Sequence, residues 1–251
     1  MKRTRYQGVF SVVRFNWHFF LGAAIAAISL IAVACFLPFG FALLCLLAVF
    51  GVIVTVLVSL GATYLAYDAS PLYRLDWLAP HLPDVGTVAN VHAGFDETSG
   101  LLRELYPEID WVVYDFYDPQ KHTEISIRRA REAQPPVAGT ISHSTGLFPA
   151  VDDSLDVILL TLAAHEIRDH IERASYFREM SRSLKPGGVI IVTEHLRDYP
   201  NLLAYNFGAF HFHTEKVWLE TFQNAGLRVL ARENTAPLIT TYILTQDENN
   251  S

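Results

Sequence analysis

Four ionisable side chains follow two short apolar runs in the second half of the chain. One pair comes just after residues 155–162 and the other directly after residues 189–193; the four are His165, Glu166, Glu194 and His195. An imidazole titrates near neutral pH and can act as a general base, and a neighbouring carboxylate can orient it. His165 is therefore our candidate for a catalytic base, with Glu166 as its partner. The alternative is a histidine packed at the start of a helix.

The elements around these residues indicate a strand–helix–strand unit. A polar segment with apolar residues at helical spacing separates the two apolar runs, and a Lys-Pro-Gly-Gly sequence precedes the second run. We expect Pro186 to end the helix and the two glycines to form a turn before the strand. Strands this apolar are usually buried on both faces of a parallel sheet, and such sheets place their chemistry at the carboxyl ends of the strands.

Two motifs in this unit resemble class I S-adenosylmethionine (SAM)-dependent methyltransferases. Residues 153–156 read Asp-Ser-Leu-Asp, similar to the entry to strand four in that family, and residues 182–188 read RSLKPGG, similar to its helix end and turn. The resemblance covers residues 85–245. It implies an α/β fold with a Rossmann-like, seven-stranded, mostly parallel sheet whose last strand is antiparallel, and it implies SAM as the cofactor.

The resemblance assigns a cofactor loop after a first strand at residues 88–91. The family has Gly-x-Gly-x-Gly there, but this chain reads His92-Ala93-Gly94-Phe95-Asp96, in which only Gly94 matches. Asn90 stands where an acidic residue is usual. His92 and Gly94 are assigned to cofactor binding, although His92 and Phe95 could intrude on the cofactor. Asp96 could instead cap the helix that follows.

Further cofactor residues follow from the same comparison. Asp115 ends the second strand, 21 positions after Gly94, at the usual place of the acid that binds the ribose; the alternative is an aspartate that only forms a turn. Phe116 or Tyr117 could flank the adenine. A third strand is expected at residues 137–141, followed by Ser144 near the adenine amino group. The remaining cofactor residue is Thr161, which faces the reactive methyl group in relatives.

An aromatic insert, residues 198–213, occupies the position of the substrate lid in the family. It suits a large apolar substrate or contact with a bilayer, and its candidate substrate-binding residues are Tyr205, Phe210, His211 and His213. Two histidines without further ligands do not predict a metal site. On residues 124–133, the arginines Arg128, Arg129 and Arg131 are expected to form a solvated face.

The composition limits the function classes. The chain has 251 residues, of which 51% are hydrophobic and 18% charged, and its net charge of −7 argues against nucleic acid as a partner. Both cysteines, Cys35 and Cys45, lie in the apolar amino-terminal third, so the sequence does not indicate a disulfide scaffold.

The amino-terminal third predicts a membrane hairpin. Residues 19–67 contain no Asp, Glu, Lys or Arg, a run roughly twice the ~20 residues that one span needs. Pro38-Phe39-Gly40 divides it into helices at about 18–37 and 41–65; a signal peptide would have a shorter apolar region. Basic residues precede the first helix, so we expect an inner-membrane protein with its amino terminus and catalytic domain in the cytoplasm. Small residues in the hairpin would permit homo-oligomers.

The predicted organisation has four parts: a basic segment (1–17), two transmembrane helices (18–67), a juxtamembrane linker with a short helix (68–86) and a methyltransferase-like domain (87–251). The resemblance and the hairpin together indicate SAM-dependent methyl transfer to a lipid-like or hydrophobic small molecule, with the bilayer as a partner. Two alternatives remain open. The reduced glycine loop could mark an inactive membrane scaffold or regulatory protein, or the enzyme could act on a protein.

Overall fold

The computed structural model describes residues 3–247, which form a pair of apolar helices and an α/β domain. Its helices α1 to α8 run over Gln7–Phe15, Trp17–Ala34, Phe39–Thr63, Ser99–Leu105, Ile125–Ala133, His170–Ser183, Tyr199–Tyr205 and Glu215–Asn224. Its strands β1 to β7 run over Gly86–His92, Ile109–Asp115, Ile141–Ser142, Leu155–Thr161, Leu184–His195, Leu227–Ala236 and Ile239–Gln246. Single turns of π-helix (Tyr64–Asp68) and 3-10 helix (Leu72–Arg74, Asp76–His81, Ala164–Glu166 and Asn206–His211) complete it.

The strands form one sheet in the order β3-β2-β1-β4-β5-β7-β6, and only β7 runs antiparallel to its neighbours β5 and β6. This mixed, seven-stranded sheet with flanking helices confirms the predicted fold class. The prediction for the third strand was too long, because residues 137–140 form a turn. Thr140 N–H bonds to the carbonyl of Val137 at 3.1 Å, and Gly139 has a φ of 86°.

Both faces of the sheet are covered, as the apolar strands require. Ile158 and Leu160 of β4 pack in the cluster that includes the aromatic residues of α6 and α8. The alternate residues Val157 and Leu159 face the other side, where they pack in one cluster with Leu78. Residues 68–86 are therefore more than a linker, because the 3-10 turns in this segment supply part of the core.

The Lys-Pro-Gly-Gly segment, which was predicted to end a helix and form a turn, belongs to strand β5. Asp169 is the N-cap of helix α6, and its side chain accepts hydrogen bonds from the N–H groups of Ile171 (2.9 Å) and Glu172 (2.8 Å). The helix ends at Ser183, before Pro186, and the chain passes directly into β5. A Cβ on Gly188 would lie 3.0 Å from the carbonyl oxygen of Asp156. The glycine thus allows close contact between β4 and β5, where their register shifts.

Helices α2 and α3 form the predicted pair and pack against each other. Both are long and apolar enough, by length and composition, to cross a membrane, and both are almost entirely exposed. Helix α3 has 25 residues, which corresponds to ~37 Å at 1.5 Å per residue and exceeds the ~30 Å hydrocarbon core of a bilayer.

Candidate active site

Polar side chains from adjacent strands form a row along the carboxyl edge of the sheet. Asp115 of β2 pairs in register with His92 of β1. On the other side of β1, Leu160 pairs with Val91, so the next residue, Thr161, lies beside His92. Sheets of this kind bind their ligands beyond this edge. The structure therefore brings together His92, Asp115 and Thr161, three of the residues predicted to bind the cofactor.

The loop after β1 is shaped by Gly94. Its φ is 88°, which side chains with a Cβ rarely adopt, and an added Cβ would lie 2.8 Å from the ring of Tyr117. Asp96 accepts hydrogen bonds from the N–H groups of Thr98 (3.0 Å) and Ser99 (2.9 Å). The side chain of Asp96 thus bonds to the first residue of α4, but the helix begins two residues later than predicted and Thr98 occupies the N-cap position.

His92 offers a buried hydrogen-bonding group toward this loop. Its Nδ1 accepts a hydrogen bond from the N–H of Gly94 at 3.2 Å. Burial lowers the pKa of His92, so the ring is neutral and its proton sits on Nε2. Nε2 is buried and has no hydrogen-bond partner within residues 3–247. A ligand atom that accepts hydrogen bonds would satisfy it.

Asp115 is buried and ion-paired with Arg131 through Oδ2, while its Oδ1 accepts the N–H of Tyr117 at 3.0 Å. The guanidinium of Arg131 also lies 4.7 Å from the ring centre of Tyr117. Arg129 bonds to the carbonyl of Phe15 at 2.8 Å. The prediction of a solvated arginine face was therefore wrong for Arg129 and Arg131, because both reach groups outside their own helix.

The other two predicted cofactor residues lie apart from this row. Phe116 is buried in the core, where its ring packs against His122 and Tyr176. Of the two aromatic residues considered for the adenine, only Tyr117 lies against the loop after β1. Ser144 is exposed in the loop after β3.

His165 lies between two carboxylates. Its Nδ1 is 2.7 Å from Oε2 of Glu194, its backbone N–H donates to Oε1 of the same residue at 3.1 Å, and its Nε2 is 3.4 Å from Glu166. Burial alone would lower the pKa of His165, but the two carboxylates outweigh burial and raise it to about 10. In the same way, His165 outweighs burial at Glu166 and lowers its pKa to about 2. At neutral pH this cluster holds an imidazolium ion.

His195 connects the sheet to the segment after α3. Its Nδ1 donates to the carbonyl of Leu238 (2.8 Å), and its Nε2 accepts from the hydroxyl of Tyr67 at 2.8 Å. Burial lowers the pKa of His195 to about 4, so the ring is neutral. Sequence reasoning placed Glu194 and His195 at the end of a strand without assigning them to the site. It did not find Tyr67 or Arg131, since nothing in their local sequence indicates these partners.

The predicted substrate residues divide into two groups. The ring of His211 lies 5.6 Å from that of His165, and the ring of Tyr205 lies 5.3 Å from that of His195, so both are close to the clusters at the strand ends. Phe210 points outward and is 59% exposed. His213 instead contacts α6, where its Nε2 accepts a hydrogen bond from Arg173 at 3.0 Å. Burial lowers the pKa of both His211 and His213 to about 3.

The amino-terminal segment packs against the same edge. Asp68 accepts hydrogen bonds from the first turn of α1, at the N–H groups of Gly8 (2.7 Å) and Val9 (3.0 Å). At the other end of α1, Phe15 packs edge-on against Phe95 in the loop after β1, at 5.5 Å. Helix α1 therefore lies over the loop that carries His92 and Gly94.

A surface cavity of about 520 Å³ lies at the opposite, amino-terminal edge of the sheet, beside Pro83 and the Lys-Pro-Gly-Gly segment. None of the candidate site residues lines it. The candidate site is thus identified by its side-chain chemistry at the carboxyl edge rather than by this opening.

Comparisons with known proteins agree with this geometry. A family model described as "Methyltransferase domain" matches residues 112–192, which include Asp115, His165 and Glu166 and end within β5, before Glu194. The sequence has no significant match among curated proteins. The family match supports the predicted enzyme class, a SAM-dependent methyltransferase, and SAM as its cofactor.

Many solved structures are similar to the chain, among them the following three. A SAM-dependent methyltransferase from Methanosarcina mazei is 14% identical, with 68% of this chain and 97% of that chain covered and a TM-score of 0.49. One from Aquifex aeolicus is 14% identical, with 69% and 89% covered and a TM-score of 0.48. PigF, solved with S-adenosylhomocysteine (SAH), is 15% identical, with 69% and 61% covered and a TM-score of 0.50. At this identity the similarity to PigF shows a shared fold.

Proposed function

We propose that the chain is a SAM-dependent methyltransferase that acts on a hydrophobic, lipid-like small molecule at a membrane. The observation that carries the proposal is the row of Asp115, His92 and Thr161 on a sheet of the methyltransferase type. Asp115 would accept hydrogen bonds from the ribose, Gly94 lets the loop pack closely against the ring of Tyr117, and Nε2–H of His92, which has no partner within residues 3–247, offers a donor. When bound, SAM supplies a methyl group on a positively charged sulfur atom.

The charges of His165 and Glu166 favour a role in positioning the substrate over a role as a general base. His165 carries both ring protons at neutral pH, so it has no lone pair with which to accept a proton from the substrate. Glu166, with a pKa of about 2, is a weak base. We therefore assign to His165 and Glu166 the role of orienting the substrate. Methyl transfer needs chiefly an in-line approach of the reacting atoms, which orientation supplies.

The hairpin supports a substrate that partitions into membranes. Tyr67, which bonds to His195, lies only four residues beyond the end of α3, so the strand ends that carry the site sit beside the end of an apolar helix. We propose that residues 18–67 anchor the chain in the cytoplasmic membrane, with residues 1–17 and the domain at 87–251 on the cytoplasmic side. An anchored enzyme meets a membrane substrate at a raised effective concentration.

Titration calorimetry of the detergent-purified protein with SAH tests cofactor binding. We expect saturable binding at one site per chain, and we expect Asp115→Ala to abolish it. Asp110→Ala is the matched control, because Asp110 is exposed at the other end of β2. Equal SAH affinity in both variants would contradict the assignment of Asp115. Methyl transfer from labelled SAM into an extract of the host membranes then tests the substrate class.

An inactive scaffold is the second candidate function, and the ion pair between Arg131 and Asp115 favours it. In a scaffold that pair would be permanent, and neither the wild type nor Arg131→Met would bind SAH. In an enzyme the ribose replaces Arg131 on the carboxylate. The variant should then bind SAH at least as tightly as the wild type.

A further inference from the structure

Residues 199–212, which we name the aromatic segment, present a row of apolar side chains to the outside. Tyr199, Leu203, Phe207 and Phe210 are 73%, 56%, 88% and 59% exposed. Tyr199 and Leu203 are four residues apart on one side of α7. Phe207 and Phe210 follow in the 3-10 turn after the break at Asn206, where their rings lie 6.3 Å apart. Exposed aromatic residues that line up in this way mark an interaction surface.

The other side of the aromatic segment faces the candidate site. Asn201, Ala204, Ala209 and Phe212 are buried there. Phe212 stacks on the ring of His195 at 4.8 Å, and the ring of His211 lies beside His165. The segment is therefore a thin layer with the site on one side and an uncovered apolar surface on the other.

The aromatic segment also lies beside the end of α3. Helix α7 packs against α3, and Tyr205 of α7 is next to Thr63, the last residue of α3. Because α3 is longer than the hydrocarbon core, a helix that spans the bilayer brings Thr63 to the level of the lipid headgroups. The exposed row then lies at that level too, where aromatic side chains are favoured.

The composition of the segment fits this environment. From Tyr199 to Phe212 it contains no Asp, Glu, Lys or Arg. A surface that binds a charged partner needs such residues, whereas the boundary between headgroups and acyl chains takes up aromatic and apolar side chains.

We propose that the aromatic segment is a second membrane contact, in which Phe207 and Phe210 insert into the headgroup region of the lipid bilayer next to α3. The proposal rests on the proposed membrane anchoring and extends it. It places His165 and His211 directly behind the lipid surface, so that a substrate dissolved in the membrane reaches the site from the bilayer.

Spin labels on single cysteines test the contact in vesicles of phosphatidylcholine and phosphatidylglycerol. Native Cys45, made the single cysteine by Cys35→Ala, lies within α3 and reports whether the hairpin has inserted. For the other sites, Phe207→Cys and Val85→Cys are made in a chain whose two cysteines are replaced by alanine. Val85 is the matched control, because it is 76% exposed and precedes β1 at the opposite edge of the sheet. The collision rates of each label with oxygen and with a water-soluble nickel chelate give its depth.

We expect the label at Cys45 to lie deep in the bilayer and the label at residue 85 to behave like a label in water. The ratio of collisions with oxygen to collisions with nickel should be at least about threefold higher for the label at residue 207 than for the label at residue 85. A deep label at Cys45 with a water-exposed label at residue 207 would overturn the contact while leaving the anchor intact. Spin–spin broadening at residue 207 that grows with the protein-to-lipid ratio would overturn it in favour of a second copy of the chain. A water-exposed label at Cys45 would overturn the anchor and with it the contact, and the SAH titration would still test the enzyme.

Discussion

Replacing Glu194 by glutamine removes the negative charge closest to His165. Glu194 is fully buried, and its carboxylate meets both Nδ1 and the backbone N–H of His165. Glutamine has nearly the same shape and can accept one of these hydrogen bonds, but it carries no charge. The variant therefore tests whether His165 is an imidazolium ion in the folded protein.

The expected loss of stability follows from the pKa of His165. The difference between about 10 in the folded protein and the ordinary ~6.5, at about 1.4 kcal/mol per pH unit, gives about 5 kcal/mol as the greatest stabilisation that the charged ring can supply. Glu194 and Glu166 share this figure, with Glu194 the larger contributor. We expect Glu194→Gln to lower the free energy of unfolding by about 3 kcal/mol, similar to the effect of breaking other buried ion pairs.

The loss of stability caused by Glu194→Gln should become smaller as the pH rises. Because folding raises the pKa of His165, the stabilisation is fully present below the unfolded pKa and disappears as the pH rises through about 10. Urea unfolding of the detergent-purified protein, followed by the fluorescence of Trp218 and the other tryptophans, should give a large difference between wild type and variant at pH 6. The difference should shrink to less than about 1 kcal/mol at pH 10.

Glu220→Gln is the control, since Glu220 is 56% exposed in a surface pair with Lys216. Such pairs contribute about 0.5 kcal/mol, so this variant should change little at any pH. A loss for Glu194→Gln that is equal at pH 6 and pH 10 would refute the imidazolium, as would an NMR titration of wild-type His165 with a pKa near its ordinary value.

Three further variants test other parts of the structure. Gly94→Ala forces a Cβ to within 2.8 Å of the Tyr117 ring at a φ of 88°. The resulting strain of ~1–2 kcal/mol should weaken SAH binding about tenfold in calorimetry. Gly100→Ala is the control and should bind SAH normally, because a Cβ at this position meets open space. Tyr67→Phe should lower the free energy of unfolding by about 1 kcal/mol through one lost hydrogen bond, and no change in urea unfolding would show that this bond contributes nothing. Asp169→Ala should lower the thermal midpoint through the lost cap of α6, and an unchanged midpoint would contradict it.

The sequence predicted the features that depend on local patterns. Strand β4 is buried on both faces and a helix connects it to β5, as predicted, because both features follow from residues close together in the chain. The two apolar helices were predictable for the same reason. The fold class followed from a motif that spans two strands and the helix between them.

The candidate site was harder to predict, because its contacts join distant residues. Arg131 is on a polar helix, and nothing in that helix indicates that the guanidinium turns toward Asp115. The choice of His165 as a base rested on the pKa of a free imidazole. Its altered pKa comes chiefly from Glu194, 29 residues later in the chain, which the fold brings to within 2.7 Å.

The contacts of α1 have a consequence for how the protein is made. Its first turn is capped by Asp68 and its last turn is bonded by Arg129, so the helix has partners that are synthesised later, beyond the two apolar helices. At ~5–20 residues per second, Arg129 follows α1 by roughly 6–24 s. During that interval α1 lacks the bond from Arg129, and it takes its final position only when the domain that contains this residue has folded. Helix α1 therefore completes its packing after elements that follow it in the chain.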